Sequence, residues 1–218
     1  MNRVLVIAAH PDDELLGCGG TLIRHVEAGD SVQSIIMCEG ESLRYEGLDV
    51  HQYEATLKAA EIIGISKIHR FDFPDQQLDK YSLIELIQPI EKVIDEYKPE
   101  IVYVQFGGDI NRDHALTFEA ASIALRPTAP SIKEIYAYYT VGSTELKTPL
   151  EFSPNVWIDI KEQIDRKLLA FSCYSSEIRA YPHPRSLEGI RNMAAFYGNQ
   201  CCLRYAEPFM LLRKIERN

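Results

Sequence analysis

The stretch VLVIAAHPDDE at residues 4–14 joins an apolar run to a histidine, a proline and three acids. A continuous apolar run of this length predicts a strand that is buried on both faces, as the strands of parallel sheets are. Residues 15–28 carry apolar side chains at helical spacing and are followed by Gly29-Asp30, which predicts the end of a helix. A second apolar run occupies residues 32–38, so the order strand, helix, strand indicates a βαβ unit.

The same alternation of apolar runs and helical spacing continues along the chain. It predicts helices over residues 52–63, 82–97, 113–125, 161–171 and 186–197, and strands over residues 67–71, 101–104, 135–139 and 209–212. Within the third helix, Ser82 and Glu85 predict a capping box, and Pro89 predicts a kink or a turn followed by a new helix. We therefore expect a single α/β domain over residues 1–218, Rossmann-like, with a mostly parallel sheet and helices on both faces.

Composition and charge narrow the class of partner. The chain has 218 residues, 46% of them hydrophobic, and its 32 acidic against 23 basic side chains give a formal net charge of -9. This balance argues against a nucleic acid and favours a small ligand. No apolar run approaches the roughly 20 residues of a membrane helix, and the N-terminus does not resemble a signal peptide. Five cysteines without a C-x-x-C pair favour a location in the reducing cytoplasm. The sequence is compatible with a homo-oligomer as well as with a monomer.

His10 and Asp13 stand three residues apart at the end of the first predicted strand. Ligands of open parallel sheets bind beyond the carboxyl ends of the strands, and an imidazole nitrogen with a carboxylate oxygen suits zinc. A third ligand should come from another loop at the same edge of the sheet. Residues 107–114 follow a later strand, and His114 is the natural candidate among them.

A capping role is the alternative interpretation of these acids. Asp12 or Asp13 would satisfy free N–H groups of the first predicted helix, and Asp113 would do the same for the later one. Each segment by itself favours capping. The two segments together, at the ends of two parallel strands, favour a metal site.

Residues 9–14, Ala-His-Pro-Asp-Asp-Glu, are followed by Leu-Gly-Cys-Gly-Gly-Thr-Leu at residues 16–22. Together they resemble the signature of the LmbE-like (PIG-L) family of zinc-dependent N-acetylglucosaminyl de-N-acetylases. The resemblance continues at residues 109–114, 165–167, 174–176 and 206–209. It implies a Rossmann-like sheet, N-acetylated amino sugars as substrates, and one zinc ion per chain.

The resemblance also implies roles for individual residues, with His10, Asp13 and His114 as zinc ligands and Asp12 as general base. Three protein ligands leave one zinc position open for a water, whose pKa falls from about 15.7 toward about 7. Asp12 lies between two ligands in the sequence, so it is placed to take the proton of that water and to return it to the departing amine. Glu14 is interpreted as a first-turn helix residue or as a support for a ligand.

Asn111 departs from the family pattern, because many members carry a histidine three residues before the last ligand. An amide donates a hydrogen bond but delivers no proton, so either Asp12 acts as both base and acid or His183 supplies the proton. We expect Asp12 to do both. The expected substrate contacts are Arg44, Asn111, His183 and Arg185. Arg44 would clamp a sugar hydroxyl or a phosphate, or is a solvated loop arginine, and Arg185 would reach a phosphate or a carboxylate.

The sequence favours a cytoplasmic zinc hydrolase that removes acetyl from an N-acetylglucosamine-like conjugate or a sugar nucleotide. Two alternatives remain. One is a zinc amidase that cleaves a larger amide of a sugar conjugate, and the other is a non-catalytic sugar-binding or nucleotide-binding module. The glycines at 17, 19 and 20 do not form G-x-G-x-x-G, so a dinucleotide cofactor is not expected, and Fe(II) suits the same ligands as zinc.

Overall fold

A seven-stranded sheet organises the part of the chain that this computed structural model describes, residues 1–42, 51–149 and 151–217. Its strands are β1 (Arg3–Ala8), β2 (Ser31–Cys38), β3 (Lys67–Phe73), β4 (Ile101–Gln105), β5 (Glu134–Tyr138), β6 (Val156–Asp159) and β7 (Ala206–Lys214). Their order across the sheet is β3-β2-β1-β4-β5-β7-β6. The pairs among β1 to β5 are parallel, whereas β7 runs antiparallel to both β5 and β6.

Helices cover both faces of the sheet. They are α1 (Asp13–Glu27), α2 (Gln52–Ile63), α3 (Leu83–Tyr97), α4 (Arg112–Ala124), α5 (Ile164–Phe171) and α6 (Leu187–Asn199). In β1, Val4 and Val6 join the core formed with α1, α2, α5 and α6, whereas Leu5 and Ile7 join the core formed with α3 and α4. The predicted single α/β domain with a mostly parallel sheet is thereby confirmed. None of the described helices combines the length and apolarity needed to cross a membrane.

The antiparallel end of the sheet differs from the prediction. Residues 156–159 were not predicted as a strand, yet β6 pairs with β7, which extends well beyond the predicted 209–212. All four residues of β6 are half-buried, so the strand shows no alternation of buried and exposed positions, and its pairing depends on a partner far along the chain. The helix predicted from residue 161 begins at Ile164.

Helix α3 begins at the predicted capping box and continues through Pro89. The Ser82 and Glu85 side chains each bond to the other residue's backbone, which confirms the box. The alternative of a turn and a new helix at Pro89 is wrong, because Leu83–Tyr97 is a single helix. Proline removes one backbone hydrogen bond, but Leu86 and Ile90 beside it are fully buried, and packing of such an apolar face stabilises a helix more than one bond does.

Glycines on both sides of a break in α1 bring the helix close to β5 and to the residue that follows β6. A Cβ atom on Gly17 would lie 2.1 Å from Cδ2 of Tyr138, and one on Gly20 would lie 2.7 Å from Cγ2 of Ile160. Between them the helix is interrupted at Cys18, whose φ of -138° and ψ of 16° are not helical. The glycine-rich segment therefore serves close packing, for which the absence of a side chain is required.

Candidate active site

The predicted ligands come together in the crevice beyond the carboxyl ends of the neighbouring strands β1 and β4. After β1 the chain moves outward through β2 and β3 and then returns to β4 on the other side of β1, so the loops that follow β1 and β4 diverge at this point. His10 and Asp13 follow β1, and His114 lies in the first turn of α4. The N–H of Ala9 donates to Oε1 of Gln105 over 2.6 Å and ties the two strand ends together.

Three ligand atoms form an equilateral triangle at this edge. Nδ1 of His10, Oδ2 of Asp13 and Nε2 of His114 lie 3.3 Å from one another. Ligand atoms about 2.0 to 2.2 Å from a tetrahedral metal ion are separated by about this distance. All three side chains are buried, so their burial, spacing and donor types fit a small divalent ion.

Cys38 and Asp113 also lie close to His10, but they suit a metal less well. Burial raises the pKa of Cys38 to about 11, which keeps its thiol protonated at neutral pH. Oδ1 of Asp113 accepts the N–H of Leu78, while its Oδ2 lies 3.1 Å from Nε2 of His10. A carboxylate on one ring nitrogen of a histidine fixes the tautomer and turns the other nitrogen toward the metal. Asp113 therefore orients Nδ1 of His10 into the triangle.

Asp109 orients the second histidine in the same way. Its Oδ1 lies 3.2 Å from Nδ1 of His114, and its Oδ2 accepts hydrogen bonds from the hydroxyls of Ser143 and Thr144. Nε2 of His114 is left facing Asp13. Both triangle histidines are therefore positioned by a carboxylate, as histidine ligands of metals usually are.

The electrostatics of the triangle favour a cation. Burial alone would lower the pKa of His114, but the carboxylates of Asp13 and Asp109 raise it above its usual value. Burial likewise acts to raise the pKa of Asp13, yet the neighbouring histidines hold it well below its usual range. These carboxylates favour a positive charge between them. A bound metal ion supplies that charge and displaces the protons of the ligands.

The sequence interpretation missed the carboxylates that support the histidines. Histidine ligands usually donate their second nitrogen to a carboxylate, and Asp109 and Asp113 lie within five residues of His114 in the sequence. This signal could have identified them. Asp75, in the loop after β3, is 1% exposed, and its Oδ1 lies 3.4 Å from Nε2 of His10. Only the folded chain brings it there, because β3 and β1 are separated by β2.

The capping interpretations of the acids are wrong at both helices. Asn111 is the N-cap of α4, where its Oδ1 accepts the N–H of Asp113 over 2.9 Å. Asp12 is the N-cap residue of α1 by position, but its side chain makes no capping hydrogen bond. Its φ of 95° is in the left-handed region that non-glycine residues seldom adopt, which indicates a constrained and functional position.

The Asp12 carboxylate lies buried beside the triangle. The residue is 2% exposed, and among the described residues no group hydrogen-bonds its Oδ2. Burial raises the pKa of Asp12 well above its usual value, although the positive charge of Arg185 acts against this rise. Glu14, in the first turn of α1 as expected, is equally buried, and burial raises its pKa to about 8.

Arg185 connects Asp12 to a second buried acid. Its Nη1 lies 3.0 Å from Oε2 of Glu177 and 3.6 Å from Oδ2 of Asp12. Two carboxylates of the protein thus contact this guanidinium. Its expected contact with a phosphate or carboxylate of the substrate stays a prediction. Glu177 was missed by the sequence interpretation, since no local pattern links it to either partner.

Replacing Arg185 by methionine is expected to lower the free energy of unfolding by about 3 kcal/mol, because two carboxylates would remain buried without a cation. Urea unfolding followed by circular dichroism measures this change. Arg126→Met is the control, since Arg126 forms a surface ion pair with Glu91 and its loss is expected to cost at most about 1 kcal/mol. Equally small changes in both variants would contradict a structural contribution from the Arg185 cluster.

A cavity of about 480 Å³ opens beside Arg185. Its lining residues are Gln76, Ile110, Asn111, Arg112, Gly142, Ser143, Glu177, Arg179, His183 and Arg185. The volume is that of a small-molecule site. The structure thus brings Asn111, His183 and Arg185 to one cavity, whereas Arg44 lies outside the described residues.

Comparison with known proteins identifies a matching family model and relatives that cover most of the chain. The model of the family described as PIG-L, GlcNAc-PI de-N-acetylase, matches residues 5–125. The diacetylchitobiose deacetylase of Thermococcus kodakarensis is 29% identical over 95% of this chain and 82% of its own length. The probable N-acetyl-alpha-D-glucosaminyl L-malate deacetylase 2 of Bacillus anthracis is 26% identical over 80% of this chain and 81% of its own.

A solved structure with another printed activity shares the same architecture. The 4-carboxy-2-hydroxymuconate hydratase of Pseudomonas putida KT2440 superposes with a TM-score of 0.79 at 21% identity, covering 100% of this chain and 99% of the hydratase. This similarity supports the fold alone, and the reaction has to be argued from the side chains of the site.

Proposed function

Because the chain belongs to the PIG-L family of GlcNAc-PI de-N-acetylases, we propose that it is a zinc-dependent hydrolase that removes the acetyl group from an N-acetylated amino sugar or its conjugate. The observation that carries this proposal is the triangle of two histidine nitrogens and one aspartate oxygen, with the buried carboxylate of Asp12 beside it. A metal site with a buried carboxylate oxygen that accepts no hydrogen bond, beside an arginine that lines a cavity, is the equipment of metal-assisted amide hydrolysis.

We assign His10, Asp13 and His114 as the ligands of one zinc ion per chain. When bound, the ion supplies a water activated at neutral pH and polarises the acetyl carbonyl. The carboxylates of Asp113 and Asp109 hold the two imidazoles, so little reorganisation of the ligands is needed. The donor set alone does not separate zinc from Fe(II), and metal analysis of the purified protein does.

Asp12 is the proposed general base and general acid. Its Oδ2 takes a proton from the attacking water as the bond to the acetyl carbon forms. The same oxygen returns the proton to the nitrogen as the carbon–nitrogen bond breaks, and acetate and a free amine leave. Burial raises the pKa of Asp12 despite the nearby charge of Arg185, so Asp12 readily holds the proton that it has taken from the water until the nitrogen accepts it.

Asn111 and His183 are proposed to contact the substrate from the cavity wall. Oδ1 of Asn111 accepts the N–H of Asp113 at the start of α4. The amide nitrogen is left as a donor toward a developing oxyanion or a sugar hydroxyl. Nδ1 of His183 accepts the N–H of Arg185, which leaves Nε2 as the nitrogen available to a substrate. The wall of the cavity thus offers polar groups at two points.

His183→Gln is expected to raise KM and to leave the basic limb of the kcat profile in place, because Asp12 rather than His183 protonates the amine in this proposal. Steady-state kinetics across pH measures both quantities. A loss of kcat of about a hundredfold or more, with unchanged KM and no basic limb, would identify His183 as the acid instead.

An acetate-release assay tests the proposed activity. Metal-loaded protein is incubated with diacetylchitobiose, with an N-acetylglucosaminyl malate and with analogues that carry a larger acyl group, and acetate and free amine are measured. We expect acetate and amine in equal amounts from an N-acetyl substrate. Release of only the larger acids would favour the amidase alternative, whereas binding without any release would favour a non-catalytic module. A location in the cytoplasm and the oligomeric state stay predictions.

A further inference from the structure

An ion pair lies beneath the interruption of α1. In an unbroken helix the N–H groups of Gly20 and Thr21 would donate to carbonyls four residues earlier, the first of them that of Leu16. Here Gly20 donates to Oε1 of Glu207 over 2.9 Å, and Thr21 donates to Oε2 of the same carboxylate over 2.7 Å. One carboxylate from β7 therefore caps the second half of the helix.

The other member of the pair binds the first half of α1. Nζ of Lys167, on α5, donates to the carbonyl of Leu16 over 3.0 Å and to Oε1 of Glu207 over 2.6 Å. The Lys167 and Glu207 side chains are only 4% and 2% exposed. The pair thus bonds the backbone groups on both sides of the break at Cys18, which an uninterrupted helix would have bonded itself.

A short path of hydrogen bonds leads from this pair to the reacting groups. The N–H of Leu16 donates to the carbonyl of Asp12 over 3.0 Å, so the segment from Asp12 to Leu16 is one helical turn. Lys167 holds the last carbonyl of that turn. The turn begins at the left-handed backbone of Asp12, a conformation that persists only where the surroundings impose it.

We propose that Lys167 and Glu207 are positioning residues that hold the first turn of α1, and with it the carboxylates of Asp12 and Asp13, in the geometry that binds the metal. The proposal rests on the proposed function for the identity of the metal site. Among the described residues no hydrogen bond or ion pair joins either residue to His10, Asp13 or His114, and each bonds the backbone of α1. The glycine-rich break frees three backbone groups of α1, which α5 and β7 then hold.

The variants Lys167→Met and Glu207→Gln test the proposal in the full-length chain. Lys167→Met keeps an apolar chain beside Gly19 but cannot bond the carbonyl of Leu16. Glu207→Gln keeps the shape of the side chain but offers only one acceptor oxygen for two N–H groups. The double variant Lys167→Met/Glu207→Gln contains no unpaired buried charge, so it is expected to recover stability lost in Lys167→Met.

Two readouts on metal-free protein separate positioning from stability. Zinc affinity, measured with zinc alone by competition with a chelator, is expected to fall about 10- to 100-fold in both single variants and in the double variant. Hydrogen exchange of a peptide over residues 9–17 is expected to quicken by about tenfold or more, while a peptide over residues 31–38 exchanges as in the parent.

Val93→Ala is the matched control, because Val93 is buried on the opposite face of the sheet, in the core with α3 and α4. It is expected to lower the unfolding temperature without changing zinc affinity. Parental zinc affinity and parental exchange in the double variant would overturn the proposal. Should Lys167→Met fail to fold, Glu207→Gln decides by the same criteria. If the parent binds no zinc, the proposed metal site is wrong, and the exchange of residues 9–17 still decides the role of the pair.

Discussion

Asp12→Asn is expected to bind zinc as the parent does and to lose roughly two to four orders of magnitude in turnover, the usual scale for removal of general acid–base catalysis. Asparagine has the size of aspartate, so the buried space beside Arg185 stays filled, but its amide accepts no proton. Because Oδ2 of Asp12 forms no hydrogen bond among the described residues, the substitution removes only its ion pair with Arg185, which keeps Glu177 as a partner. Binding and chemistry should therefore separate.

Acetate release and zinc content of the same preparation measure the two effects. Asp165→Asn is the matched control, since Asp165 is an exposed carboxylate paired with Arg191 on the surface. Its turnover is expected to equal that of the parent. Near-parental turnover of correctly folded, zinc-loaded Asp12→Asn would show that another residue is the base.

His114→Ala is expected to lose stoichiometric zinc. The substitution removes one of three ligand atoms of the triangle and leaves Asp109 without the ring that it orients. Loss of a group that only supports a ligand already costs 10- to 100-fold in affinity, so loss of a ligand should weaken zinc binding by more than about a hundredfold. Mass spectrometry of the purified protein and competition with a chelator measure occupancy and affinity.

A second histidine provides the comparison for His114→Ala. His69 lies on β3, where its Nε2 is 2.8 Å from Oε1 of Gln33, and His69→Ala is expected to retain one zinc per chain. Zinc should also raise the unfolding temperature of the parent and of His69→Ala but not that of His114→Ala, because only a bound ion stabilises the folded state. Equal, stoichiometric zinc in parent and His114→Ala would contradict the ligand assignment.

The central part of the fold was predictable because its signals are local. The apolar run at residues 4–9 identified a strand buried on both faces, and the polar residues directly after it identified the edge where ligands bind. His10, Asp13 and His114 were proposed as ligands from their places after two strands, and the structure brings their ligand atoms within 3.3 Å of one another. Strand order was not needed for that inference.

The rest of the site depends on contacts between distant segments. Asp75 reaches His10 from the loop after β3, and Arg185 reaches Asp12 from the segment that follows α5. β6 has no alternation by which a strand is recognised, and its position follows from the pairing with β7. Sequence patterns report the immediate environment of a residue, so such partners appear only when the chain is folded.

The origin of the site's parts in two portions of the chain suggests how such a protein changes during evolution. The three triangle residues and Asp12 lie before residue 125, whereas Glu177, His183 and Arg185 come from later segments. Substitutions of later wall residues that contact neither Asp12 nor the carboxylates behind the triangle, such as His183, can change substrate choice while the groups that cleave the bond are retained. New activities are accessible to such a scaffold through changes in its second half, provided that the backbone support of α1 is retained.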